Sequence, residues 1–429
     1  MTPAELPSST LRRARVAVLI HFIVLGASTA TWSARLPAIK SELHLTDFRL
    51  SLALFAVPAG SVLTLALSGR ITDKFGAVRV LRLAGLLVPV VLVLIGLPAN
   101  LPLLMVVLAC YGAAAGLLDV SMNACGARLE VAYGRPILSS LHAGYSIAGL
   151  AGAGIGGIFA WLDLGPLPTF ITAGALVISA AIVAGREVVL PPIVPHAEQP
   201  DAPPLLSARR ISIVIAILGL LALCGQLGEG AAGDWSAVYL HTNLHSSAGV
   251  AAMGLAAFSI TMAAGRVVGD RLAARFGSVA LVRVSGLVAG SGLGLGVLVP
   301  VPAVAIAGFA LLGAGLAGIF PQIVSSAARL DPERAGSNIG RIASVAYMGL
   351  LGGPVAIGGL AAGVGLRNAL LLPAALALVV TLFAGVMRQD SARTPSPSPT
   401  PTPTATPTGS IAQSTPLERV DRAIDKPGT

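Results

Sequence analysis

The sequence predicts an all-α polytopic membrane protein: twelve transmembrane helices in two pseudo-symmetric six-helix bundles. Composition is the first reason. Of 429 residues, 55% are hydrophobic and only 11% charged, mean hydropathy is +0.84, and apolar runs long enough to cross about 30 Å of hydrocarbon recur along the chain. The second reason is a duplication. Arg70–Gly85 (RITDKFGAVRVLRLAG) lies over Arg271–Gly286 (RLAARFGSVALVRVSG) at a constant offset of 201, with identity at Arg70/Arg271, Phe75/Phe276, Gly76/Gly277, Val78/Val279, Arg82/Arg283 and Gly85/Gly286. The same offset sets Ala127–Glu130 over Ala328–Asp331, and an offset of 203 sets Trp32-Ser33-Ala34 over Trp235-Ser236-Ala237. One unit of roughly 200 residues therefore occurs twice.

Charge placement is the third reason. Twelve spans are read at 16–36, 50–68, 78–97, 101–123, 138–162, 167–184, 211–232, 249–268, 279–299, 303–327, 339–364 and 369–386. With the N-terminus inside, 24 of the 28 Lys and Arg residues fall on the cytoplasmic side, leaving only Arg35, Lys40, Arg49 and Arg367 outside. The positive-inside rule then supports an even number of spans with both termini in the cytoplasm. The organisation that follows is a cytoplasmic N-terminus (1–15), an N-terminal bundle (16–186), a cytoplasmic linker (187–210), a C-terminal bundle (211–388) and a tail (389–429).

The start, with Arg12, Arg13 and Arg15 before an apolar run, is similar to a signal peptide. It reads as an uncleaved first helix, because cleavage would remove Trp32-Ser33-Ala34 and leave the first repeat incomplete. The linker carries Pro191, Pro192, Pro195, Pro200, Pro203 and Pro204, suited to joining two rigid bundles that rock. The tail alternates Pro with Ser and Thr and cannot bury a core, so it is expected to be disordered. Glycines cluster in spans 5 and 11, at Gly149, Gly152, Gly154, Gly156, Gly157 and at Gly349, Gly352, Gly353, Gly358, Gly359, as small faces for close helix packing.

Each copy of the repeated basic stretch lies between two apolar runs and reads as a short loop. Gly69, Asp73, Lys74, Gly76 and Arg79 fill, in order, the pattern Gly-x-x-x-Asp-Arg/Lys-x-Gly-x-x-Arg. This resembles the signature loop between helices two and three of the major facilitator superfamily of secondary transporters. The second copy keeps Asp270, Arg271, Arg275 and Gly277 but has Ala274 and Ala280 where the first has Asp73 and Arg79. The resemblance spans about residues 12–388. It implies two bundles around a central site, alternating access, and an inner loop that locks the cytoplasmic side. Asp73 is expected to cap the start of span 3 and to pair with Arg79 or a basic residue of another helix.

Ionisable groups within the spans are few and so carry functional weight. Asp119 in span 4 lies nine residues before Arg128, about 13 Å along the helix. It reads as a proton-coupling or substrate residue, or as a structural hydrogen bond to a neighbouring helix. Asn123 shares its helical face. His142 and Tyr145 open span 5; the histidine either relays a proton or bonds a backbone carbonyl. Gln226, Glu229, Gln322 and Tyr347 complete the residues assigned to substrate or proton coupling. At the outer ends of spans 1 and 7, Trp32, Arg35, Asp234 and Trp235 form an expected outer gate, in which Arg35 pairs with Glu229 or Asp234 in the inward-open state and parts from it in the outward-open one; the alternative for Arg35 and Asp234 is snorkelling to the interface.

Other functions find little footing. The net charge of +9 is dispersed as short clusters between apolar runs, which fits membrane orientation rather than nucleic acid. Lys40, Lys74 and Lys426 are the only lysines and none follows a glycine, so no phosphate-binding loop exists. His241 and His245 are four apart but without HExxH, and no metal site is expected. Cys110, Cys125 and Cys224 lack paired spacing and read as packing residues. No Gly-x-Ser-x-Gly elbow appears, no cofactor is implied, and the chain is not read as an enzyme. The partners implied are a small solute, protons or another coupling ion, and the bilayer, for a monomer.

Within the superfamily, Gly134-Arg135-Pro136 and His142, following Met122-Asn123 and Glu130, and the stretch Ala232–Leu240 resemble a bacterial branch near the fucose permeases. In that group an acid in span 4 is linked to proton coupling, and Asp119 matches it. Span 1 offers no second acid, only His21 and Arg35. Aromatics are 4% of the chain, leaving few stacking platforms, so uptake of a sugar-like solute and export of a metabolite or drug both stay open. A membrane sensor or scaffold on a transporter fold is the alternative of a different class.

Overall fold

A computed structural model describes residues 7–190 and 207–393. Twelve helical segments follow one another: α1 Ser8–Ala34, α2 Asp47–Phe75, α3 Ala77–Leu94, α4 Leu101–Tyr133, α5 Leu138–Trp161, α6 Pro166–Glu187, α7 Ala208–Val238, α8 Ala248–Phe276, α9 Ser278–Leu298, α10 in two pieces (Pro302–Leu316 and Ile319–Leu330), α11 Ala335–Val364 and α12 Leu371–Phe383. Among the described residues, eleven helices are long and apolar enough to span a membrane, and twelve if the bent pair Leu52–Leu65 and Leu67–Phe75 of α2 counts as one span. That 48° bend falls where Thr64 and Ser68 bond back to Gly60 O and Thr64 O, hydroxyl contacts that bend helices. Most of the linker and the tail from residue 394 lie outside the described residues.

The first helix begins eight residues before the expected 16, so Arg12, Arg13 and Arg15 lie on its opening turns. Nothing after Pro7 breaks the helix, and arginine favours it. Span 10 is interrupted at Ala317-Gly318, which its apolar run does not reveal.

The duplication is visible in three dimensions. Thr46 and Ser247, 201 apart, cap α2 and α8 by accepting from Arg49 N (3.3 Å) and Val250 N (3.4 Å). Gly76 and Gly277 sit at φ 88° and 79° between the paired helices, a conformation that glycine enters without strain. Lys74 lies over Phe75 and Arg275 over Phe276, each 5.4 Å from the ring centroid. A Cβ at Gly112 would strike Val57 O of α2, and one at Gly313 would strike Phe258 O of α8. Lipid supplies no hydrophobic drive between helices, so such backbone-to-backbone approach holds each half together.

Each half has its own core. One cluster includes Phe22, Leu81, Leu108, Tyr111 and Phe170; the other includes Leu218, Tyr239, Phe309, Leu312 and Val380. Four residues of the second half, Val324, Ala328, Ala335 and Ile339, pack into the first cluster. They lie where α10 ends and α11 begins, on the face that also carries the start of α1. The halves meet chiefly through α2 against α11 and α5 against α8. In the glycine-rich helices only one face is used: Gly152, Gly156 and Gly349 press on neighbouring helices, while Gly154, Gly157, Gly352 and Gly359 have nothing within 4 Å.

Candidate functional site

Two sets of polar residues join the halves. The first lies on the face where α1 begins and α12 ends, here the terminal face. Asp73, near the end of α2, accepts from Gly336 N (3.0 Å), Ser337 N (2.9 Å) and the Ser337 hydroxyl at the start of α11. Asp270, near the end of α8, accepts from Ser139 N (2.8 Å) and Ser140 N (3.0 Å) at the start of α5. Each carboxylate thus satisfies orphan N–H groups at the positive end of a helix in the opposite half. Glu130 of α4 is the third member. Its Oε2 accepts from Ile137 N (2.9 Å) and Leu138 N (3.1 Å), while Oε1 takes the Ser325 hydroxyl and Arg329 Nη1 (3.2 Å) from α10.

The expected role of Asp73 therefore needs correction. It caps neither its own α3 nor pairs with Arg79, which is exposed; it caps α11 across the interface. Asp270 does the same for α5 although the repeat aligns it with Gly69 rather than Asp73. Gly69 and Gly340 let α2 and α11 close to backbone distance. Lys74 and Arg275 lie over their neighbouring phenylalanines, and Arg271 is exposed. Arg82 binds Gly185 O (2.5 Å) and Val188 O (3.4 Å) at the end of α6.

The second set lies at mid-depth. Asp119 is 9% exposed. The Asn123 amide, one turn on, donates to Asp119 Oδ1 (3.2 Å) and Asp119 O (2.9 Å), and Asn123 Oδ1 meets His142 Nε2 of α5 at 3.1 Å. With Nδ2 donating, Oδ1 is the acceptor, so His142 presents Nε2–H. The imidazole is wedged between Phe22 of α1 and Phe320 of α10, with ring centroids 5.0 and 5.7 Å away. Among the described contacts, the His142 ring bonds the Asn123 side chain rather than a backbone carbonyl.

One turn beyond His142, Ser146 accepts from Arg266 Nη1 of α8 (2.6 Å), and Arg266 Nη2 lies 3.8 Å from Glu229 Oε2 of α7. Tyr145, Ser146, Glu229 and Arg266 line a cavity of about 560 Å³ between the halves, with Leu150, Phe258, Ser259 and Met262 among its other walls. Asp119, Tyr145, Tyr347 and Glu229 are close enough to interact electrostatically, and Tyr347 packs on Leu65 and Val120. The residues expected at one site are thus largely gathered there. Gln226 is half-buried on α7, one turn before Glu229. Gln322 is not part of the site: its Oε1 accepts from Ser278 Oγ (2.7 Å) at the start of α9.

The ion pair expected at the outer gate in the inward-open state is not formed in this conformer. Arg35 is buried and donates to the carbonyls of Gly156 (3.5 Å) and Leu164, closing the end of its own half. Glu229 is engaged by Arg266 instead, and Asp234 is exposed. Trp32 packs edge-on against Tyr111 at 6.0 Å, and Trp235 lies against Gly358, each within its own half. Sequence reasoning missed Arg266, which it counted among loop charges. Arg266 is 8% exposed and sits ten residues inside the end of α8. An arginine within the limits of an apolar run was the available signal. Glu130 carried a signal too, since the repeat pairs it with Asp331.

Among the described residues no three of His, Cys, Asp or Glu are grouped to hold a metal. The three cysteines are free.

Comparison with known proteins agrees with this architecture. The chain is 32% identical over 377 residues to an uncharacterized transporter, y4wD, of Sinorhizobium fredii, covering 87% of this chain and 97% of that one. It is 31% identical over 347 residues to an uncharacterized transporter of the superfamily from Yersinia pestis, covering 80% and 88%. Among solved structures, the transporter FucP in its outward conformation matches with a TM-score of 0.68 at 17% identity, over 88% of this chain and 99% of that one. The model of the Major Facilitator Superfamily matches residues 17–230 and again 218–420, so the chain belongs to the Major Facilitator Superfamily and is a multi-pass membrane protein of that transporter family.

Proposed function

We propose that this transporter moves a small solute together with protons by alternating access, that its terminal face is cytoplasmic in a bacterial plasma membrane, and that the conformer described is the outward-facing one. Closure of the terminal face by Asp73, Asp270 and Glu130 supports the last point. The positive-inside distribution supports the second. FucP, whose fold this chain shares, is a fucose:proton symporter.

The observation that carries proton coupling is Asp119. It is a carboxyl buried at mid-depth, hydrogen-bonded by a neutral amide, with no lysine or arginine paired to it among the described residues. Such a group has reason to be in the membrane only if it serves a function. Through Asn123 and His142 it joins α4 to α5, and Ser146 and Arg266 continue to α8 of the other half. A proton on Asp119 and a solute in the cavity are thus both reported to the interface that must break when the terminal face opens.

The test is proton movement in proteoliposomes loaded with a pH dye and screened against sugars, metabolites and cationic drugs. Wild type is expected to give a solute-triggered signal and Asp119→Asn to lose it. The sign of the signal separates uptake with protons from exchange against them. Solute movement in wild type without any dye response contradicts the coupling role. If no solute moves and Asp119→Asn changes nothing, the sensor or scaffold reading replaces transport.

A further inference from the structure

We propose that the solute carries a carboxylate, and that the Nε/Nη2 edge of Arg266 is its anchor; this rests on the transport reading and narrows it to a class. Arg266 presents five N–H donors in a rigid fork. One donor, on Nη1, is used by Ser146. Nε is buried without a partner, and Nη2 reaches only Glu229 Oε2 at 3.8 Å, beyond hydrogen-bond range. Nε and Nη2 form the edge that takes a carboxylate through two parallel bonds. Nε is covered by neighbouring atoms and Nη2 lacks an acceptor within hydrogen-bond range, on a residue that is 8% exposed and lines the cavity.

A buried guanidinium with unfilled donors is costly unless an acceptor completes it. Arg35 offers the contrast within the same molecule. It is also buried, and its Nε likewise has no partner, but both of its terminal nitrogens are on backbone carbonyls and it lines none of the cavity around Glu229. What sets Arg266 apart is that its Nη2 has no acceptor within hydrogen-bond range and that it lines the cavity.

Glu229 identifies the kind of acceptor. It stands off the fork as a loosely held carboxylate, 30% exposed, so a solute carboxylate would replace it on Arg266 as an internal competitor. The charge already present limits the ligand further. Glu229 itself lines the cavity, and a dianion would bring a second negative charge against it with one arginine to offset both. The remaining walls, Leu150, Phe258 and Met262, are apolar. The class is therefore a monoanionic organic acid of small size, within what about 560 Å³ can enclose.

The experiment compares lactate, benzoate and gluconate with lactamide, benzamide and glucose in proteoliposome uptake and in thermal stabilisation of the purified protein. At least one acid should be bound and moved and its neutral partner ignored. Glu229→Gln should tighten acid binding about three- to tenfold by removing the competitor. Arg266→Lys should weaken binding about tenfold, since a point charge lacks the fork, and Arg266→Gln should lose it. If wild type moves only neutral members, or Glu229→Gln weakens acid binding, the anchor assignment falls while transport stands. A wild type that binds and moves no member of either set also overturns the carboxylate assignment, while transport is decided by the wider screen above.

Discussion

The two polar sets that join the halves differ in how completely they are satisfied. On the terminal face, Asp73, Asp270 and Glu130 each accept at least two hydrogen bonds, mostly from backbone N–H groups at helix starts. At mid-depth, Asp119 has only an amide for a partner, and Arg266 leaves Nε empty and Nη2 at 3.8 Å from Glu229. The difference separates two tasks. A satisfied contact holds one state; an unsatisfied one waits for a proton or a ligand to complete it. On the proposed reading, the terminal set is the lock and the mid-depth set is what releases it.

Breaking the lock should rank by burial. Glu130→Ala ranks first, because Glu130 is 4% exposed and is the acceptor shared by Arg329, the Ser325 hydroxyl and two backbone amides. Leaving a buried donor without its acceptor costs about 1–3 kcal/mol, and Glu130 serves more than one. Spin-label distances across the terminal face should show that face opening, and the melting temperature should fall. Gly69→Val comes next. A Cβ there would stand 2.5 Å from Ser337 Cα, so α2 and α11 must part, and a cysteine at Ser337 should become reactive to a water-soluble maleimide.

Asp270→Ala removes two charge-assisted bonds from a half-buried group, about 1–2 kcal/mol once solvent is allowed for. Asp73 is exposed, so Asp73→Ala should shift the same distance distribution less, by under about 1 kcal/mol. Lys74→Ala, which touches only Phe75, should leave the distribution unchanged, within about 0.5 kcal/mol. If Asp73→Ala opened the face as far as Glu130→Ala, burial would not be what sets the strength of the lock.

Much of this was legible in the chain. The offset of 201 foretold the paired glycines Gly76 and Gly277 and the helices they separate, because a positive φ leaves glycine as its mark. Asp119, Asn123, His142 and Glu229 stood out as polar residues in apolar runs. The partners of the lock did not. Asp73 and Asp270 bind backbone N–H groups more than 100 residues away, and a backbone donor carries no residue type to recognise. The partners of Arg35 in this conformer were hidden for the same reason, since its acceptors are the carbonyls of Gly156 and Leu164. Arg266 was hidden by its position near the edge of a run, where an arginine reads as a loop charge until the helix is seen to continue to Phe276.

The most direct test of the central claim separates exchange from accumulation. With solute on both sides, counterflow needs the lock to open and close but no net proton transfer; uphill accumulation under a pH gradient needs both. Asp119→Asn should keep counterflow within a few-fold of wild type and lose accumulation, on the order of a hundredfold, the scale at which a positioned proton-transfer group contributes. Accumulation retained by Asp119→Asn, or counterflow lost together with it, would contradict the division between a lock on the terminal face and a proton-operated release at mid-depth.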